Sequence, residues 1–271
     1  MKKIWILALL AVVAISASAE NTVMKAFKTD KEYTAIGVGG PINVIVEERT
    51  EGNIIIRATE KILSVIELKV EDGSLNISFP KGFEVKRWSD LAQAEVYIPY
   101  NGKLREFGAV GCARIEVKPQ ITAKDVEVEC AAASRIELTK VTADKISIDA
   151  VGAGKVSLAV ECTSLEMDVT GASTVTISGK ATKCEADVAG ASTLNAENLH
   201  CSQLEAEVAG ASSADLSADM AEVEVSGASS ADIACTTQLT ASAAGASTVR
   251  YSGDCQVNIR NNSGASTIKK K

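Results

Sequence analysis

Apolar and polar residues alternate along most of this chain, and strict alternation predicts half-buried strands rather than helices. The runs LEMDVT, CEADVA, LEAEVA, AEVEVS and LTASAA begin at residues 165, 184, 204, 221 and 239. In the first, Leu165, Met167 and Val169 share one face, and Glu166 and Asp168 the other. Each run is followed by a Gly-Ala-Ser mark and a shorter alternation such as TVTIS, in which Val175 and Ile177 point inward and Thr174 and Thr176 outward. The strong marks lie at Gly171-Ser173, Gly190-Ser192, Gly210-Ser212, Gly227-Ser229, Gly245-Ser247 and Gly264-Ser266. Weaker copies occur around Gly111, Ala132 and Gly152, so the period stays between 17 and 21 residues. A two-strand repeat of this length cannot bury its apolar face alone, whereas stacked parallel coils cover one another. The fold class that follows is all-β: a right-handed parallel β-helix, or solenoid, with an irregular N-terminal β cap. The marks are read as structural corners in one line, since glycine permits positive φ and small residues let corners stack.

Residues 20–105 are also strand-like but carry no such mark. Asp72-Gly73 between alternating runs predicts a hairpin. The region holds nearly all the aromatic residues and is expected to form wider, irregular coils capping one end. The boundaries are 1–19 for a leader, 20–105 for the cap and 106–271 for the marked coils, with 20–271 forming one continuous domain.

The leader reading comes from Lys2 and Lys3, an apolar run from Ile4 to about Ile15, and Ala17-Ser18-Ala19, a small-x-small site that places cleavage after Ala19. The apolar run is shorter than the roughly 20 residues a membrane-spanning helix needs, and no second run follows. The expected location is periplasm, cell surface or medium, with no transmembrane segment. The chain carries a net charge of −7, and cleavage removes two lysines and no acid. An acidic surface argues against nucleic acid, whose phosphates need a basic footprint.

Several groups of residues are candidates for chemistry or contact. The mark serines could form a row of nucleophiles, but the single histidine, His200, leaves them without a neighbouring general base, so a structural ladder is expected. The seven cysteines, Cys112, Cys130, Cys162, Cys184, Cys201, Cys235 and Cys255, read as small buried hydrophobes. Their offsets on adjacent rungs do not match, so no disulfide is expected among Cys162, Cys184 and Cys201. Outward acids stack into two columns, one holding Glu129, Asp149, Asp168, Asp187, Glu207 and Glu224. These are either a platform for a divalent cation or polycation or a solvated face that keeps the helix soluble. No resident metal or other cofactor is expected. Trp88, in the loop-like stretch 81–90, is read as packed on the cap or exposed as a contact surface. Lys269, Lys270 and Lys271 are expected to form a disordered tail whose charges discourage end-to-end stacking, leaving a monomer.

The strand GGPINVIVEE, then DGSLNIS, then VYIPYNGKLREFGAVGCARIEV, then the serial marks, together resemble the putative auto-transporter adhesin, head GIN domain family, over roughly residues 30–268. The resemblance implies a β-helix-like fold and no catalytic residues. Taken with the residues, it implies a non-enzymatic, adhesin-like binding or scaffold module at the cell envelope, with a protein or glycan as ligand. A polysaccharide lyase or hydrolase acting on acidic glycans is the alternative. Such an enzyme needs basic residues beside clustered acids and stacking aromatics, and residues 108–271 hold one aromatic, Tyr251.

Overall fold

Alternation with a fixed period becomes a β-solenoid of about nine turns in the computed structural model, with parallel coils stacked along one axis. The structure describes residues 22–49, 52–80 and 94–271. The leader 1–19 and the stretch 81–90 with Trp88 lie outside the described residues.

The first strands build the end of the solenoid: β1 (Thr22–Phe27), β2 (Ala35–Gly39), β3 (Ile42–Glu47), β4 (Ile54–Thr59), β5 (Glu67–Glu71), β6 (Ser74–Ser78) and β7 (Ala94–Pro99). A one-turn helix, α1 (Glu60–Leu63), follows β4 and is capped by the Thr59 hydroxyl, which accepts from the Ile62 N–H. The rung β2–β3 is not terminal in space. β6 and β7 pair in parallel against its outer side, and β8 (Glu106–Gly111) and β9 (Arg114–Val117) pair against its inner side. Beyond β7 the pairing turns antiparallel, with β4 on β7 and β1 on β4. β5 returns antiparallel on β6 through Asp72 and Gly73, both at positive φ, which is the hairpin the sequence predicts. The irregular cap thus combines one parallel rung, β6 and β7 on β2 and β3, with antiparallel strands beyond it. Antiparallel strands cover this end, β4 and β1 over β7 and β5 over β6.

From β10 (Ile121–Thr122) onward every pairing is parallel. The strands are β11 (Asp125–Ala132), β12 (Arg135–Gly152), β13 (Lys155–Val169), β14 (Thr174–Val188), β15 (Thr193–Val208), β16 (Ser213–Val225), β17 (Ser230–Gly245), β18 (Thr248–Ser252), β19 (Gln256–Gly264) and β20 (Thr267–Lys270). The long strands run along one flank, bend, and continue along the next. Four register shifts fall at or near this second bend, between Leu138 and Val141, Thr176 and Ser178, Asn195 and Cys201, and Ala218 and Met220, and a fifth falls on the other flank, between Ala241 and Ser242.

One buried cluster runs from Tyr33 to Val249. Near the cap it is filled by Phe107 and by isoleucines such as Ile36, Ile42, Ile56 and Ile98; among the later rungs Ala206, Ala214, Ala231 and Ala241 take the same inward places as Val and Leu. The lysine tail departs from expectation. Lys269 and Lys270 lie in β20, beside Arg250 and Tyr251. The Lys271 N–H donates to the Tyr251 carbonyl at 2.8 Å, and its ammonium sits 3.2 Å from Asp232. Backbone pairing and a carboxylate partner outweigh the mutual repulsion of the three ammonium groups.

Candidate functional site

The corner marks come first, because they set the geometry of everything outside them. Each glycine of the row Gly171, Gly190, Gly210, Gly227, Gly245 and Gly264 has φ between +78° and +86°. Each also lies directly on the glycine before it: a Cβ added at Gly190 would sit 2.5 Å from the Gly171 carbonyl oxygen, and one at Gly264 would sit 2.8 Å from that of Gly245. The next residue exploits that proximity. The N–H groups of Ala172, Ala191, Ala211, Ala228, Ala246 and Ala265 donate to the glycine carbonyls one rung back, at 2.6–2.8 Å.

The serine of each mark turns inward. Ser173, Ser192, Ser212, Ser229 and Ser247 are buried, whereas Ser266, on the last rung, is only partly covered. The Ser192 and Ser212 hydroxyls donate to the carbonyls three residues back, at Ala189 (2.8 Å) and Ala209 (2.9 Å). The same hydroxyls form a ladder, since the Ser192 N–H donates to the Ser212 oxygen and the Ser212 N–H to the Ser229 oxygen. This satisfies groups that the bend removes from the strand pattern. A buried hydroxyl tied to backbone is closed to an external substrate. His200 lies elsewhere, on the surface, 3.4 Å from Asp219.

Outside the corner, the flank that precedes it carries the acids in register. One column runs Glu129, Asp149, Asp168, Asp187, Glu207, Glu224. Beside it run Glu127, Ser147, Glu166, Glu185, Glu205 and Glu222. Carboxylates one strand apart, about 4.8 Å, repel one another. Asp168 shows it: partial burial first, then Asp149 and Glu166, raise its pKa above the ordinary 3.8. Cations relieve the column locally, with Lys145 at 2.8 Å from Glu166 and Arg260 paired with Glu222. A shallow groove along this flank is lined by Glu166, Lys183, Glu185, Gln203, Glu205 and Glu222. Among the described residues, no three acids, cysteines or histidines converge as a metal site would require.

The opposite side of the corner holds a feature that sequence reasoning passed over. After Arg114, Arg135 and Lys155, one column reads Thr174, Thr193, Ser213, Ser230, Thr248 and Thr267. The signal was present in the first residue after each mark, once the rungs are aligned on the glycine. The neighbouring column ends in charge: Arg250 grips Asp232 at 2.6 and 3.2 Å, which with Lys271 holds the Asp232 carboxyl below its ordinary range despite partial burial.

The cysteines require a correction. Cys184 and Cys201 form a disulfide, with Cα atoms 6.2 Å apart. In register, Cys201 stands beside Ala181 and Cys184 beside Leu204, so the two occupy different columns, as their offsets indicate. The columns meet nonetheless. Residues 181 and 184 lie on either side of the second bend, and a bend folds two inward-facing positions toward each other inside the coil. Cys112 is also exposed rather than buried.

The profile of the family described as "Putative auto-transporter adhesin, head GIN domain" matches residues 32–220. No curated protein matches the chain. Among solved structures, a putative adhesin from Parabacteroides distasonis ATCC 8503 is similar with a TM-score of 0.75 at 21% identity, over 93% of this chain and 98% of that one. A putative adhesin from Parabacteroides merdae ATCC 43184 gives 0.63 at 19%, over 92% and 96%. A putative lipid binding protein from Parabacteroides distasonis ATCC 8503 gives 0.56 at 14%, over 92% and 96%. At these identities the likeness is one of fold.

Proposed function

The chain belongs to the putative auto-transporter adhesin, head GIN domain family, and from that premise we propose that it is an exported, non-enzymatic, adhesin-like binding module of the cell envelope or surface. The observation that supports this reading is the pair of flanks beside the corner. Both present the same outward side-chain chemistry rung after rung, carboxylates on one and hydroxyls on the other, at one-strand spacing. Such rows suit an extended partner, a glycan or a protein segment, that makes many weak, repeated contacts. The mark serines from Ser173 to Ser247, which would be the nucleophiles of a catalytic reading, are buried, and Ser192 and Ser212 donate to backbone carbonyls. The leader 1–19 supports export, and the acidic flank is proposed to face solvent and attract cationic or cation-bridged ligands.

The test is a binding screen of the purified mature chain against envelope glycans and extracellular proteins, run beside a chain-shortening assay on acidic polysaccharides. The reading predicts saturable binding with polymer length unchanged. Catalytic shortening of a polyuronate would overturn it in favour of the lyase or hydrolase alternative.

A further inference from the structure

The bend that carries the Cys184–Cys201 disulfide recurs two rungs later with another pair of cysteines. The inward column that contains Cys201 continues through Ala218 to Cys235. On the rung after Cys235, Gly253 lies against it, so close that an added Cβ would be 2.1 Å from the Cys235 carbonyl oxygen. The two rungs then turn the bend with equal numbers of residues: Ala234 pairs with Ser252 before it and Gln238 with Gln256 after it. That register puts Cys255 beside Thr237, two positions past Cys235 and on the neighbouring rung. In the existing disulfide, Cys184 stands three positions past the residue that Cys201 lies beside. Both pairs thus span one bend and one rung boundary.

The side-chain contacts agree with the register. The Cys235 thiol curls around the inside of the bend and lies 3.1 Å from the Gln238 carbonyl. It also lies near enough to the Cys255 thiol for that group to raise its pKa. Cys235 is buried, while Cys255 is only partly covered. We propose that Cys235 and Cys255 are a second disulfide site, closed by thiol–disulfide exchange with a small disulfide oxidant.

The exchange proceeds from the accessible side. The Cys255 thiolate attacks a sulfur of the external disulfide, forming a mixed disulfide and releasing one thiol. The Cys235 sulfur, after losing its proton, attacks the Cys255 sulfur and expels the second external thiol. Two protein thiols and one external disulfide become one protein disulfide and two external thiols, and the oxidant takes up both protons and both electrons. Burial, together with Cys255, pushes the Cys235 thiol up to about 11, so the closing step quickens with rising pH. Closure links β17 to the residue preceding β19, holding the terminal rung against the one beneath it.

The experiment uses the full exported chain, purified and reduced only enough to free Cys235 and Cys255, then exposed to oxidised glutathione at about pH 9, where thiolate is available. Free thiols are alkylated in denaturant, and peptides are mapped without reduction. The expected result is a peptide linking Cys235 to Cys255, two hydrogens lighter than the separate pair. In the Cys235→Ser variant, Cys255 is expected to retain glutathione as a stalled mixed disulfide. Two results would overturn the proposal: Cys255 of the unaltered chain retaining glutathione while Cys235 remains alkylatable, or Cys255 pairing with Cys112 instead. Because Cys255→Ser removes only the accessible partner, Cys235 should then stay unmodified by glutathione in the folded chain.

Discussion

The capped end and the marked coils meet the same demand, a tight turn at positive φ, under opposite constraints. At the Asp72-Gly73 hairpin of the cap, Gly73 has φ +78° and nothing within 4 Å of where a Cβ would stand. At Gly210, with φ +82°, a carbonyl oxygen lies 2.6 Å from that point and two further backbone atoms lie within 3.3 Å. In the cap, glycine answers a question of conformation alone. In the coils it also answers one of space, since backbone stacks on backbone and no neighbour can swing aside. Side chains differ accordingly: bulky Ile and Phe fill the cap end, and small residues suffice where the rungs themselves are in contact. A repeat can therefore hold Ala freely in its core; at the corner it does so at Ala132, φ +60°, on an early rung, and the tighter later corners from Gly171 to Gly264 all carry Gly.

Substitution should break this symmetry. Gly210→Ala combines backbone strain with overpacking, each in the range of about 1–3 kcal/mol. We expect it to cost about 3 kcal/mol or more in denaturant unfolding, against about 1 kcal/mol for Gly73→Ala, where only the left-handed conformation is charged. Equal losses would remove the spatial half of the argument. Next in size is the disulfide. Cys201→Ser opens a cross-link between residues 17 apart, for which loop entropy gives about 3 kcal/mol. The loss should vanish when both proteins are compared under reduction.

Ser212→Ala removes a hydroxyl that donates to Ala209 and accepts from Ser192, and should cost about 1 kcal/mol or somewhat more. At Ser173 the hydroxyl has no hydrogen-bond partner among the described residues, so Ser173→Ala should be neutral or stabilising in the same melts. The smallest effect is expected on the acidic flank. With its pKa raised in the folded chain, Asp168 binds its proton more tightly folded than unfolded. Its contribution to stability is therefore present at low pH and is lost as pH rises from about 3.8. Asp168→Asn should raise Tm at neutral pH, and the gain should shrink as pH falls toward that value. A gain that grew on acidification would reverse the sign and exclude repulsion as its cause.

Much of this is legible in the sequence, for a physical reason. Alternation fixes which face is buried, so Leu165, Met167 and Val169 could be placed inward, and a fixed period brings equal offsets into register, so the acidic columns could be assembled. Asp-Gly between strands is a local signal, and the hairpin follows from it. Three features were not legible. Parallel pairing of β6 and β7 outside β2 and β3 depends on a long excursion of the chain, which no local pattern encodes. The Cys184–Cys201 bond depends on how sharply the second bend closes, and that bend is where register shifts concentrate. The ordered lysines depend on Asp232, which lies two rungs before β20.

The glycine-stacked corner is the centre of this account, and amide hydrogen exchange tests it most directly. Ala172, Ala191, Ala211, Ala228 and Ala246 are exposed residues in a surface turn, yet their N–H groups are bonded to the glycine carbonyl one rung back at 2.6–2.7 Å. The account predicts that these five amides exchange as slowly as the buried strand amides of Val169 and Val188, and far more slowly than Gly73. Exchange at the rate of an open surface turn would contradict it.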